Sequence, residues 1–586
     1  MAGPTPHGAR TAPSAGHRLA LPAALLVYLV LAVALAAEAW QAPASRWVGG
    51  CCDQQQAMWF LRWVPSAIER GLDPFVTYQM NAPTGVNLTW NSWMPAIGLA
   101  LAPVTVAAGP VVAYNVAIVG AIALSALAAF VALRRYADGL AGPLVGGAVY
   151  GFSPYVASHA ALHLNLVAAF VPPLVLIVLD ELLVRRRHGP VALGAALGGL
   201  AGLQVLVFEE LVATGAVAAA VLAGILAVTV RDRAAIAEGV RRVGRAFLPA
   251  LAGLLVVAGP PLAVQFLGPL RLGGQVQDTA RFSTDLLNLV LPTRYQLFAP
   301  EPATAISHGF SGLYHEATAY LGLPLLVILV VAVARRWTDL RVRVAALTAV
   351  SMLVLSLGRT LTIGGVATGV PLPWLAISGL PLLEHAIPGR LTLYLWLAVA
   401  VIVAVLVGEL AAQRASSAVP RLVTLGLALA VALPAPLGSS GVEVPAFFRD
   451  DDQQGIADDA IVLVAPHFTN GAGAAPMLWA AVAGNRPRLY EAYAYVPDED
   501  GQPRYGPAST QLTRIMERIQ DDGVTLVARG EVREQVLRDI AANGITDVIV
   551  GPMDHREQMV AFFTDLFGRP PAEVDGVQLW RGVAGG

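Results

Sequence analysis

What most constrains this chain is how often it stays apolar for the thickness of a bilayer. Val111 to Leu133 carries no charged side chain, and a helix needs about 20 mainly apolar residues to cross the hydrocarbon core. Comparable segments recur at about 19–37, 139–156, 165–183, 190–208, 211–230, 246–267, 317–334, 344–358, 391–410 and 422–437. Hydrocarbon offers no water to backbone N–H and C=O groups, so such segments must be helical. The expected fold is a polytopic α-helical membrane protein with about 11 transmembrane helices. Charge agrees: charged residues make up 13% of the chain, against about 25% in a soluble domain. An ordinary water-soluble enzyme is excluded.

The net charge of −2 conceals two different solvents. From residue 440 onward there are 22 acids and 12 arginines, while the preceding part holds 18 acids and 26 arginines. Lysine is absent. The expected organisation is a disordered cytoplasmic N-terminus (1–18), a transmembrane part (19–438) and an extracytoplasmic α/β domain (439–586). The first span reads as an uncleaved anchor, its apolar core being longer than that of a signal peptide. Arginine placement sets the N-terminus in the cytoplasm of a plasma (inner) membrane, since 18 of the 26 arginines fall in loops this topology puts inside. The other eight (Arg46, Arg62, Arg70, Arg271, Arg281, Arg294, Arg359 and Arg390) fall in external loops at about 39–110, 268–316 and 359–390. Such an excess outside suggests that an anion is held there. Met94–Val106, interrupted by prolines, reads as a helix lying in the interface, separate from the span beginning near Val111.

In the tail, Ala460–Ala465 and Thr546–Gly551 read as buried strands, and Gln511–Gln520 and Val532–Asn543 as amphipathic helices. No glycine-rich nucleotide loop or triad motif occurs there, so the tail receives no chemistry. Cys51 and Cys52 lack zinc-site spacing and read as two small buried thiols.

Ionisable residues near the bilayer are costly, so each invites a functional reading. Asp53 follows the first span and precedes aromatics at 59, 60 and 63 that would bury it against the bilayer. Burial raises a carboxylate's pKa and a nearby cation lowers it, which is how a general base is tuned. His159 and His163 share a helix face at i, i+4, with Asn165 beyond, and suit a metal or a phosphate. Glu210 stands with Glu209 between two apolar runs. Arg294 lies in the second external loop, and Glu316 is expected to open the helix that follows. Arg390, at the mouth of the next span, offers a fork for a phosphate at headgroup level. One external carboxylate with arginines and aromatics suits inverting glycosyl transfer: a base takes the acceptor's proton, and a lipid phosphate departs without needing a general acid.

The acidic external first loop, the proline-interrupted segment and the span ending Arg134-Arg135 resemble the GT-C class of glycosyltransferases. The nearest likeness is to bacterial, particularly actinobacterial, aminoarabinose or arabinofuranosyl transferase-like membrane proteins. Tyr150-Gly-Phe-Ser-Pro-Tyr155 with His159, His163 and Asn165, Glu316 with Ala319-Tyr-Leu-Gly322, and Pro388-Gly-Arg390 carry the resemblance. It implies Asp53 as the catalytic first-loop aspartate. The residues themselves are read as catalytic at Asp53, His163 and Glu210, and as substrate-binding at His159, Asn165, Arg294, Glu316 and Arg390. It also implies a polyprenyl-phosphate-linked sugar donor. The acceptor is a glycan, lipid or protein, the lipid bilayer is the other partner, and nucleic acid is not implied. The membrane part (19–438) lacks an Asp-x-Asp pair, so the cofactor stays unknown, a divalent metal being one option. The alternatives are a transporter or flippase of lipid-linked sugars, and a non-catalytic scaffold.

Overall fold

A computed structural model describes residues 15–585 apart from 51, 231, 450–455, 458 and 469–472. The expectations for the first 14 residues and for Cys51 lie outside the described residues. The helices run α1 (Ala15–Leu35), α2 (Asp53–Arg70), α3 (Pro95–Leu133), α4 (Ala141–Gly151), α5 (Pro154–Ala160), α6 (Leu164–Val167), α7 (Val171–Asp180), α8 (Pro190–Val205), α9 (Glu210–Thr229) and α10 (Arg233–Leu267). They continue as α11 (Glu301–Ser307), α12 (Leu323–Arg335), α13 (Leu340–Ser356), α14 (Thr392–Ala411) and α15 (Ala415–Ala430). Each expected span overlaps a helix, but 317–334 is helical only from Leu323 and 139–156 is divided between α4 and α5. Among the described residues, five stretches are long and apolar enough to cross a membrane by themselves: Pro95–Leu133, Leu164–Arg185, Glu210–Thr229, Arg233–Leu267 and Pro388–Ala411.

Close approach of small residues sets the packing. With no hydrophobic driving force between helices in lipid, tight backbone contact at Gly and Ala takes its place. On α8, Gly194, Gly198 and Gly202 form one stripe against α10, and a Cβ at Gly198 would stand 1.9 Å from the Ala250 carbonyl oxygen. Gly142 and Gly146 seat α4 on α14 in the same way. Around these contacts α14 is buried along nearly its whole length. At the ends of α3 and α7 distant from the external loops, Asp180 joins Arg135 at 2.8 Å and Arg185 at 2.7 Å.

The helix expected at 94–106 is present and distinct from the span that follows: α3 is two helices joined across a kink at Gly109, whose φ of 86° and ψ of 166° are non-helical and open to glycine. Three local expectations need correcting. The segment 53–70 is not loop but α2, ended by Gly71 in the left-handed conformation. Glu316 does not open a helix. It lies in a 3-10 turn, and α12 starts only at Leu323, where Pro324 suits the first helical turn. Cys52 is disulfide-bonded rather than a free thiol.

In the tail, a five-stranded sheet has the order Ala572–Val574, Val577–Arg581, Ile545–Val550, Ile461–Ala465, Arg488–Leu489. The central pair, 461–465 and 545–550, is parallel. Alternate residues of a strand face opposite sides. Ile461, Leu463 and Ala465 therefore meet the helices at Gln511–Asp522, Gly530–Ala542 and Arg556–Phe567, while Val462 and Val464 face Trp59, Phe60 and Trp63 of α2. The aromatics at 59, 60 and 63 are thus covered by the tail, not by the bilayer.

Gly198→Ala is expected to push α8 from α10 and cost roughly 1–3 kcal/mol, the usual penalty of overpacking. Gly199→Ala, one residue along and with open space around its Cβ, should be neutral or slightly stabilising. Thermal unfolding of the two variants in detergent checks this, and equal midpoints would discount the glycine stripe.

Candidate active site

Chain entry into helices brings the site together. Asp53 is the first residue of α2, and the preceding backbone is pinned where Cys52 N–H donates to Gln55 Oε1 at 2.7 Å. His159 lies at the end of α5, begun by the Ser153 side-chain cap, and His163 precedes α6. Glu210 opens α9. His315 and Glu316 share their 3-10 turn, and Arg390 lies in another that leads into α14. The extended stretch 317–322 is held in front of α14: Trp396 Nε1 donates to the Thr318 carbonyl at 3.0 Å, and Ala319 N–H to Asn288 Oδ1 at 2.8 Å.

Two linked clusters result. In the first, His163 Nε2 lies 3.1 Å from Asp53 Oδ2. The His159 and His163 Nδ1 atoms are 3.2 Å apart, and the His315 ring stands edge-on to His163, with centroids 5.2 Å apart. In the second, Arg390 Nη2 donates to Glu316 Oε1 at 2.8 Å, and Arg390 Nη1 pairs with Glu210. The other Glu210 oxygen accepts the Ile387 N–H at 2.9 Å. Glu316 joins the clusters, since its Oε2 is 3.8 Å from His159 Nε2.

Burial would raise the Asp53 carboxyl, yet the hydrogen bond and charge of His163, with the Tyr493 phenol, hold it below the usual aspartate range. Burial would likewise raise Glu316, and the Arg390 guanidinium outweighs it, so Glu316 stays ionised. Burial pushes His159 well below its ordinary value and takes His315 down to about 4, so both imidazoles are neutral at pH 7.

His159, His163 and Glu316 each offer a donor atom, all within 4.8 Å of one another. Two imidazoles and a carboxylate suit a first-row transition ion or zinc better than magnesium. His159 Nε2 and both His315 nitrogens are buried without a hydrogen-bond partner, an expensive state that an ion or ligand would relieve. The residues therefore fit a metal.

The expected site residues Asp53, His159, His163, Glu210, Glu316 and Arg390 all meet here. Arg294 stays on the rim, its guanidinium over the Tyr314 ring at 4.2 Å. Asn165 is buried in α6 rather than drawn into these contacts. Arg390 is not an open fork awaiting phosphate, because two carboxylates already occupy it. Glu210, with both oxygens engaged, is placed to hold Arg390 rather than to move a proton. His315, one of the ionisable residues that the sequence places in the loop 268–316 beside Glu316, also meets the cluster. Tyr493 is missed by sequence reading, and nothing local points to it.

Arg390→Met would leave Glu210 and Glu316 buried without their cation. A loss on the order of 3–5 kcal/mol is expected, as for breaking a buried pair from one side, with Arg390→Lys falling between. Detergent thermal unfolding reads the order, and an unchanged midpoint for Arg390→Met would mean that the carboxylates are satisfied elsewhere.

Residues 23–433 match the model of a family described as "Domain of unknown function (DUF6311)". No curated protein matches the chain. Among solved structures, it is similar to the oligosaccharyltransferase of Archaeoglobus fulgidus tethered with an acceptor peptide containing the NVT sequon. That match has 12% identity and a TM-score of 0.50, covering 95% of this chain and 72% of that one. It is also similar to the arabinofuranosyltransferase AftD from mycobacteria, with 14% identity and a TM-score of 0.52, over 98% of this chain and 42% of that chain. This chain thus spans less than half the length of the arabinofuranosyltransferase. Both are GT-C glycosyltransferases, so the expected resemblance to that class holds at the level of fold. The family match extends over more than half of the sequence, and the protein belongs to the DUF6311 family.

Proposed function

We propose that this protein is a membrane glycosyltransferase that moves a sugar from a polyprenyl-phosphate donor to an acceptor hydroxyl outside the cytoplasm. The observation that carries the reading is Asp53: an ionised, partly exposed carboxylate, hydrogen-bonded by His163 at 3.1 Å, beside a buried charged cluster at the ends of the apolar helices. The solved structures of similar fold, an oligosaccharyltransferase and an arabinofuranosyltransferase, support the same reaction class. They do not favour the transporter or scaffold readings.

In this reading Asp53 accepts the proton of the acceptor hydroxyl. The freed oxygen attacks the anomeric carbon from the face opposite the phosphate, and the carbon–oxygen bond to phosphate breaks with inversion. His163 orients Asp53, as a hydrogen-bonded partner does for any positioned base. Arg390, held by Glu210 and Glu316, keeps Glu316 ionised and in place between the histidines. A divalent ion held by His159, His163 and Glu316 would supply Lewis-acid stabilisation of the departing phosphate's charge. The proposed topology places the N-terminus in the cytoplasm, with the site and the tail on the outer face of the plasma membrane.

Sugar release from radiolabelled polyprenyl-phosphate donors, in membranes carrying wild type or Asp53→Asn, tests the base. Turnover by wild type and a loss of about 100-fold or more in the variant is expected, the scale of general-base catalysis. Equal turnover in both would remove Asp53 from that role.

Chelation with EDTA should abolish turnover, and manganese or zinc should restore it in wild type but not in His159→Gln, which removes one donor. Full activity in chelator would count against a metal.

A further inference from the structure

Residues 360–383, between α13 and α14, carry no charged side chain, a run long enough to span a bilayer. It does not form a spanning helix. Thr360–Ile363 and Val366–Pro371 pair as an antiparallel ribbon, and a short 3-10 turn follows. Ile363 stands opposite Val366 in that pair, and Val370 shares their side because alternate strand residues point the same way. All three are exposed, Val366 by 68% and Val370 by 50%, and Leu382 beyond the ribbon by 59%. The preceding external loop adds Leu297 and Phe298, also exposed. An apolar side shared in this way marks an interaction surface.

This ledge is fixed, and it lies at helix ends. The N–H groups of Gly364 and Gly365 donate to the buried Asp285 carboxylate at 3.0 and 2.7 Å. A Cβ at Gly365 would stand 1.9 Å from the Gly309 carbonyl oxygen, so the turn rests on the loop that carries α11. The ribbon begins four residues after α13 ends at Ser356. Leu297 N–H donates to the Leu433 carbonyl at 2.8 Å, just past the end of α15. Helix length then says what covers the ledge. The helices α12, α13 and α15 have 13, 17 and 16 residues. At 1.5 Å per residue they reach roughly 20, 26 and 24 Å, short of the about 30 Å of hydrocarbon in a bilayer. Thinning the bilayer around short helices costs free energy, and apolar side chains at their outer ends remove the need. Arg281 and Arg294 are exposed in the same external loop, and no carboxylate among the described residues pairs with them, which suits the phosphates of lipid headgroups. The outer edge of Val366–Pro371 pairs with no other described strand. Unpaired backbone groups are not tolerated in hydrocarbon, so the strand lies among headgroups and its valines reach below them.

We infer that the ribbon 360–371, with Leu382, Leu297 and Phe298, is a membrane-docking surface, seated in the lipid leaflet that borders the candidate active site. Its occupant is lipid, not a second copy of the chain or another protein. The inference stands apart from the transfer reading and adds to it. The loop that carries His315 and Glu316 is held against the leaflet, so a lipid-borne substrate reaches the site from the side, without leaving the membrane.

The test places nitroxide labels on Val366→Cys, Val370→Cys and Phe298→Cys in the full-length chain, held in lipid discs of mixed phosphatidylcholine and phosphatidylglycerol. No free cysteine among the described residues competes for the label. Val256→Cys, on α10 and 82% exposed, gives the lipid reference, and Val527→Cys, exposed in the tail, gives the water reference. Power saturation reads collision with oxygen, which concentrates in hydrocarbon, and with a nickel chelate, which stays in water. The ledge labels should resemble Val256→Cys and favour oxygen over the chelate several-fold. Chelate access equal to that of Val527→Cys would overturn the docking. Protection from both collision partners would overturn it as well, since protein would then be the cover. Leu375→Cys and Leu380→Cys, exposed on the same uncharged run, replace any ledge variant whose unfolding midpoint falls. The labels report depth whether or not a donor turns over, so a failure of the transfer reading and a failure of the docking are told apart.

Discussion

The buried arginine at position 390 is the interaction on which the membrane-side architecture depends. Its fork joins Glu210 at the start of α9 to Glu316 in the loop before α12, from the turn that opens α14. Three segments far apart in sequence are therefore fixed by one charge. Taking three ionised groups out of water is unfavourable unless each is paired and hydrogen-bonded. Here the backbone N–H of Ile387 completes Glu210, and Arg390 Nε adds a second contact to Glu316 at 3.4 Å. Such a cluster contributes little net stability by itself. Its consequence is geometric: Glu316 is held toward His159, and His159 toward His163 and Asp53.

How much of this was legible follows from the range of the forces involved. Apolar length is a local property, so every expected span overlaps a helix even where its bounds shift, and strands 461–465 and 545–550 are visible as short apolar runs. The residues of the charged cluster are also visible, because an ionisable group beside a greasy segment stands out wherever its partner lies. The helix α2 is hidden for the opposite reason. It is buried on two sides, against α3 and against the tail, and even Gln54, Gln55 and Gln56 are covered, so it shows no clean amphipathic stripe and carries Pro65 besides. The division of α3 is legible for a local reason: Gly109 and Pro110 interrupt the helix, and Gly109 is where its two parts meet at a kink. Tyr493 could not be found locally, since its relation to Asp53 spans most of the chain.

The tail's sheet explains why that distant tyrosine arrives where it does. One face is covered by its own helices, and on the other Val462, Val464, Ile549, Val577 and Leu579 share one apolar cluster with Trp59 and Trp63 of α2 and with Trp479, whose helix, Ala475–Val482, packs against α2. A sheet with two apolar faces needs both covered, and apolar burial is worth roughly 25 cal/mol per Å², so large rings such as Trp59 and Trp63 dominate the seam. Hydrogen bonds then set the register that apolar contact leaves free. Ser66 Oγ donates to the Gly484 carbonyl at 2.9 Å, Asn485 Nδ2 to the Trp59 carbonyl at 3.2 Å, and Ala492 N–H to Asn81 Oδ1 at 2.8 Å. Ala492 is the residue before Tyr493.

The same seam therefore does two things at once. It removes the aromatic face of α2 from water, and it delivers a phenol to the first residue of that helix. A loop carrying a catalytic carboxylate is normally the least restrained part of a protein, since loops have few buried contacts. Here the carboxylate is the N-terminal residue of a helix packed between α3 and the tail helix Ala475–Val482, with a histidine from the membrane part against it. Mobility would have to break the hydrophobic seam, the backbone bonds along it and the His163 contact together. The restraint on Asp53 is thereby built from packing that is ordinary in each part, and arises only where the two parts share a core; a base of the kind proposed would need it.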